Sequence, residues 1–170
     1  MKTHPNSSAP YYKKYILSLS ETEVLPALQN SHQRSMNILR EIPEEMGDHR
    51  YAAGKWSIKE ILMHLMDTER IFCYRALRFA RKDATPLPGY DHDLYVENSH
   101  CADRSMASMI EEYKLVRQNS YMMFHYFTQE VLSYSGIMNG VEITVHHLGL
   151  LIAGHEDHHI KVLQQRYLGS

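Results

Sequence analysis

Cysteine, one-sided charge and long apolar runs are all scarce in this chain, and each shortage removes a class of protein. Its two cysteines, Cys73 and Cys101, stand far apart. With no pair at metal-ligand or redox spacing, a disulfide scaffold, a cysteine zinc site and a thioredoxin-type centre are excluded, and both are read as reduced thiols. No stretch approaches the roughly 20 apolar residues of a spanning helix. The opening MKTHPNSSAPYYKK holds no apolar run of signal-peptide length. No membrane association is therefore expected, and the expected location is cytoplasmic. Eighteen Lys and Arg against twenty Asp and Glu leave a net charge of −2. That supplies no basic field for counterion-release binding, so no nucleic-acid partner is expected.

What is present fits one globular domain. An apolar fraction of 44% and a charged fraction of 22% can bury a core of ordinary size. Residues 1–170 are read as a single domain, with residues 1–10 expected to be flexible. A helical period runs from about Glu21 to Ile42, with Leu25, Leu28, His32, Met36 and Leu39 at three- and four-residue steps. Ser20 and Glu23 have the form of a capping box, and Pro26 predicts an irregular or kinked first turn. A second helix is expected from Ser57 to about Arg81, opened by a Ser57 and Glu60 capping box before Ile58, Ile61, Leu62 and Leu65. The stretch from Ala84 to Asp93 holds Pro86, Pro88 and Gly89 and must be a long connection that crosses an end of the molecule. A third helix is expected from about Asp103 to Thr128. Gly136, Asn139 and Gly140 mark a turn, and a last helix runs from about Ile143 to Tyr167. No segment shows convincing period-two alternation. Four long helices with turn signals between them predict an all-α four-helix bundle.

Histidine is the residue in excess. Of twelve, five lie between Val145 and Ile160. Along the last helix Val145, Leu148, Ile152, His155, His159 and Val162 form one inward stripe, so His155 and His159 replace two core residues. Two unpaired polar rings would be costly there. Four residues apart, about 6 Å along the axis, both imidazoles can reach one point, a chelating geometry. His64 belongs to the row Ile61, His64, Thr68, Ile71 beside the apolar stripe of the second helix and can face the same axis. His158 stands three residues from His155 but turns about 100° away from His159, and ranks below it. His146 and His147 suit a surface or a pocket wall. Separate histidines, each satisfied by a hydrogen bond, remain the alternative on residues alone.

The segments GKWSIKEILMHLMDTER from Gly54 to Arg70, YRALRFARKDATPLPGYD from Tyr74 to Asp91, and AGHEDHHIKVLQQRY from Ala153 to Tyr167 resemble the DinB and YfiT-like family of metal-dependent enzymes. The resemblance extends over nearly all of the chain from Tyr11 onward. It implies an up-down four-helix bundle, often a homodimer, in which the Ala84 to Asp93 stretch is a long crossover between helices two and three. It also implies a metal site formed by His64, His155 and His159, and gives His158 no ligand role. Trp56, Ser57 and Glu60 match the family pattern, with local explanations: a packed bundle end and a helix cap.

Three neutral nitrogen ligands leave coordination positions open, as at a catalytic rather than a structural metal. Zinc or nickel is expected first, with iron or manganese next. Asp67 and Glu156 are the candidates to orient the ligand rings, against a reading of both as solvated surface charge. Relatives in the family imply transfer of a low-molecular-weight thiol such as bacillithiol or mycothiol to a small-molecule electrophile. Arg75 or Arg78 would then meet thiol carboxylates, against the simpler reading of Arg75, Arg78 and Arg81 as solvated charge. A hydrolase that activates water at the same metal is the second reading, and a non-enzymatic metal-binding or stress-response protein is the third.

Overall fold

The computed structural model describes residues 9–169. The flexibility expected of residues 1–10 therefore falls mostly outside the described residues; Ala9 and Pro10 open the first helix. In chain order the elements are α1 (Ala9–Leu17), α2 (Val24–Leu39), α3 (Ile58–Ala80), the short α4 (His92–Glu97), α5 (Met106–His125), the short α6 (Gln129–Ser133), β1 (Ser135–Met138), β2 (Val141–Thr144) and α7 (Val145–Val162). A final wider turn of helix spans Leu163–Leu168.

Helices α2, α3, α5 and α7 make the bundle, all-α as the periodicity indicates. Helix α7 packs between α2 and α3, and α5 packs on the other side of the same two helices. The consecutive helices α2 and α3 thus face each other across a diagonal, as do α5 and α7. A diagonal step needs a long connection, and the links from α2 to α3 and from α5 to α7 are both long; the link between the neighbouring α3 and α5 is long as well.

Local chemistry explains most boundaries. At Ser57 the capping box is complete: its hydroxyl accepts from the Glu60 N–H, and the Glu60 carboxylate accepts from the Ser57 N–H. The box expected at Ser20 and Glu23 does not form. Glu23 itself is the N-cap of α2 without a side-chain bond, while the Ser20 hydroxyl donates to Glu21 at 3.0 Å. No kink follows from Pro26, because it is the third residue of α2, where its missing N–H has no intrahelical acceptor to lose. Five elements lie beyond the sequence expectation: α1, α4, α6, β1 and β2. Helix α1 packs on α7, and the turn at Asn139 and Gly140 joins a two-stranded antiparallel hairpin in which Met138 pairs with Val141. Asn139 and Gly140 both have positive φ, the requirement of a tight hairpin turn. The connection after α3 docks there: the Leu87 N–H donates to the Ile137 carbonyl, and the Asn139 N–H donates to the Leu87 carbonyl.

The core has two apolar halves along the bundle axis. Leu28, Phe72, Phe124 and Leu151 mark one, and Leu39, Leu62, Met109 and Leu163 the other. Each such side chain contributes about 1.5–3 kcal/mol on burial. Between the halves every bundle helix contributes buried polar residues: Ser31 and Ser35 from α2, His64, Thr68 and Glu69 from α3, Arg117 and Ser120 from α5, His155 and Glu156 from α7. This mid-height polar layer includes His64 and His155 on one side and the Arg117 ion pairs with Glu69 and Glu156 on the other.

Candidate metal centre

On one side of the layer, between α3 and α7, three histidines converge. One ring nitrogen from each of His64, His155 and His159 lies within 4.8 Å of the other two. His64 and His155 are buried, and His159 is half-buried. The His64 and His155 Nε2 atoms are 3.1 Å apart, so as they stand one must carry a proton toward the other. Ring centroids are 4.6 Å apart for His155 and His159 and 4.9 Å for His64 and His159. Helix phase explains the convergence: a four-residue step stacks two rings on one face of α7, and α3 presents a third ring across the seam.

Burial pushes the His64 imidazole down to about 3, with His92 adding to the effect. Burial, then the neighbouring histidine rings, holds His155 and His159 well below the ordinary value. All three rings are therefore neutral near pH 7, with free lone pairs, which is the state a metal requires of its ligands. The donor set fits a divalent transition ion, since it offers nitrogen and no carboxylate.

The surroundings orient these rings. Thr68, one turn after His64 on the same face of α3, places its hydroxyl 3.4 Å from His64 Nδ1 and 2.5 Å from the Tyr90 hydroxyl. With His64 Nε2 turned to an ion, Nδ1 carries the proton and donates to Thr68. The indole of Trp56 lies 4.8 Å from the His64 ring, while its backbone carbonyl accepts from the Tyr167 hydroxyl at 2.5 Å. The bundle-end role expected of Trp56 thus extends to contact with the site. Exposed His92, at the start of α4, sits 5.7 Å from the His64 ring. Tyr15 of α1 stands edge-on to His155 at 5.5 Å. Thr68 was visible in the His64 row; Tyr90, His92 and Tyr15 reach the site from α1 and the α3 to α5 connection, whose folding no local period reveals.

The remaining sequence candidates lie elsewhere. His158 is exposed and packs on Tyr15. The His146 ring contacts the Thr22 carbonyl at 3.0 Å, and His147 is exposed. Asp67 is half-buried beside Arg70 at 3.5 Å. Glu156 faces the opposite side of the layer: it accepts from Tyr113 and from Arg117, the latter at 2.7 Å, and is neither solvated nor in contact with the three rings. Arg75, read as solvated charge, is buried, whereas Arg78 pairs with Asp83 and Arg81 is exposed. Both cysteines are free and buried, and burial with nearby Glu69 pushes the Cys73 thiol up to about 12, so it supplies no nucleophile at neutral pH.

A helical bundle with three neutral imidazoles gathered at mid-height, in an arrangement that could hold a metal ion, is the class that the fold and the site define. The chain belongs to the DinB superfamily, whose sequence profile matches residues 27–163. No curated protein matches it. Among solved structures, YfiT from Bacillus subtilis has the same fold, with a TM-score of 0.72, 15% identity, and coverage of 98% of this chain and 93% of that one. YfiT is described as a probable metal-dependent hydrolase with an unusual four-helix bundle topology.

Proposed function

We propose that this protein is a metal-dependent enzyme in which His64, His155 and His159 hold one divalent transition metal, zinc or nickel before iron or manganese. Its proposed reaction is transfer of a low-molecular-weight thiol to a small electrophilic substrate. The observation that carries the reading is the set of three ring nitrogens within 4.8 Å, all held neutral by burial. These three rings would hold an ion without neutralising its charge, and such an ion would favour ionisation of a thiol or a water molecule near neutral pH. Thr68 contacts the His64 ring, Trp56 and Tyr15 pack against the rings of His64 and His155, and among the described residues no carboxylate joins the three ring nitrogens. A thiol ionised by the metal needs no separate carboxylate base, which favours transfer.

Hydrolysis is the second reading. It is favoured by the description of YfiT and by His92, an imidazole beside His64 that can accept a proton from water. Zinc-loaded and nickel-loaded protein should conjugate cysteine-derived thiols to chlorodinitrobenzene, and His64→Ala should abolish the rate. Cleavage of nitrophenyl esters without added thiol would replace transfer by hydrolysis. Metal binding with neither activity would leave a binding protein.

A further inference from the structure

We propose that Arg75 is the receptor for a carboxylate on the substrate of the three-histidine centre, an inference that rests on the reading of that centre as the place of reaction. Arg75 is 4% exposed. Its Nη2 donates to the Pro88 carbonyl at 2.7 Å, its Nη1 approaches the Met138 sulfur at 3.6 Å, and its guanidinium lies over the rings of Phe72 and Tyr90 at 5.9 and 6.0 Å. None of these partners is an anion. Every other arginine held in contact across the bundle has a carboxylate: Arg117 has Glu69 and Glu156, and Arg34 has Asp157. A buried cation without a counter-ion is costly to the fold, and such expense is tolerated where a ligand supplies the missing charge.

Its position connects it to the histidines. Arg75 follows His64 by eleven residues, three turns of α3, so both stand on one face with Thr68 and Phe72 between them. Phe72 touches the His155 ring at 6.1 Å and Arg75 at 5.9 Å. Thr68 touches both His64 and Tyr90, and Tyr90 lies under Arg75. The histidines and the guanidinium thus stand at the two ends of one row of buried apolar and hydroxyl side chains, Thr68 and Phe72. The helix rise puts their Cα atoms about 16 Å apart, and an arginine side chain leaning toward the helix N-terminus shortens the span to on the order of 10 Å. The substrate is therefore an elongated molecule with its reacting atom at one end, an apolar middle and a carboxylate at the other. A phosphate, with two charges, would call for more donors than one guanidinium already engaged with Pro88.

Two sets of probes test this. Metal-free protein is titrated by calorimetry with hexanoate and hexanol, and cobalt-loaded protein is titrated with mercaptohexanoate and mercaptohexanol, followed by the cobalt absorption bands. Wild type should prefer the acid over the alcohol by about tenfold or more in both sets, the scale of one charge-assisted hydrogen bond. Arg75→Met should lose that preference, keep its affinity for mercaptohexanol, and melt no lower than wild type because it sheds an unneutralised charge. Arg75→Lys, which keeps the charge, should retain part of the preference and serves if the methionine variant does not fold. Equal binding of acid and alcohol by wild type, or an undiminished preference in a folded Arg75→Met, overturns the proposal. Failure of cobalt to bind while metal-free wild type still prefers hexanoate would sink the metal reading and leave Arg75 as a carboxylate site.

Discussion

His155 and Glu156 are adjacent in the chain and equally deep in the bundle, yet they face opposite ends of the polar layer with opposite chemistry. Toward α3, His155 meets two more neutral imidazoles, and among the described residues no carboxylate joins them. Toward α2 and α5, Glu156 accepts from Tyr113 and from Arg117, whose guanidinium also donates to Glu69 at 2.9 and 2.8 Å, to Ser31 and to the Leu28 carbonyl. The arginine has spent its donors. Burial pushes the Glu156 carboxyl up, but the Arg117 charge, with the neighbouring His32 and Ser31 side chains and the Tyr113 hydrogen bond, outweighs it and brings the group to about 2. One side is closed and charged, whereas the other has lone pairs aimed at a shared point. The difference separates a charged, fully paired network across all four helices from a cluster of neutral imidazoles that could hold an ion.

Breaking the closed side should have the largest effect. Arg117→Met leaves Glu69 and Glu156 buried without their cation, and urea unfolding should show a loss of about 3–5 kcal/mol. A loss below about 1 kcal/mol would mean that the two carboxylates find other compensation. Acid should act next. Glu156 has its folded-state pKa depressed from 4.5 to about 2, so the unfolded chain takes up the proton first. The stability is present above pH 4.5 and is lost as the pH falls through 2, by on the order of 3 kcal/mol. In metal-free protein the His64 ring, depressed from 6.5 to about 3, has the same sign in a higher window, with loss beginning below pH 6.5. Unfolding midpoints of the metal-free protein measured from pH 8 to 2 should thus begin to fall below pH 6.5 and fall further below pH 4.5, the lower component being absent in Glu156→Gln.

The open side should fail differently. His155→Ala should weaken zinc or cobalt binding by at least about 100-fold, roughly 2.7 kcal/mol, while the metal-free variant loses less stability than Arg117→Met; calorimetric titration and urea unfolding separate the two quantities. A smaller effect is expected at the next residue. A Cβ on Gly154 would stand 2.3 Å from the Tyr15 carbonyl oxygen, a backbone contact that cannot yield without moving α1. Gly154→Ala should cost about 1–3 kcal/mol by overpacking, and hydrogen exchange should locate the loosening in α1.

These positions also show what a sequence can disclose. His155 and His159 were legible because a three- and four-residue stripe is a property of one helix, and the Ser57 box was legible because its partners are three residues apart. His64 was a candidate until the family resemblance joined it to the pair. Glu156 was misjudged as solvated charge, since its role depends on Arg117 and Tyr113 of another helix. Buried Arg75 was misjudged for a similar reason: its surroundings come from Pro88, Tyr90 and Met138, which only the crossover and the hairpin bring together. The hairpin itself was hidden by strands of four residues, too short for alternation to register, although Asn139 and Gly140 were a sufficient turn signal.

His158→Ala is expected to do least, and it tests the contrast most sharply. His158 can chelate with His155 by spacing alone, since a three-residue step also brings two side chains to neighbouring positions on a helix. The bundle decides otherwise, because the 100° between consecutive residues turns His158 out of the α3 seam to the exposed side, against Tyr15. Its ring centroid is still only 5.2 Å from that of His159, so proximity does not separate the ligand from the bystander; direction does. Zinc affinity in His158→Ala should stay within about threefold of wild type, under 1 kcal/mol, measured beside His159→Ala, which should lose binding as His155→Ala does. A reversed result, with His158→Ala losing the metal and His159→Ala keeping it, would place the ion on the α1 side of α7 and move the reaction away from His64.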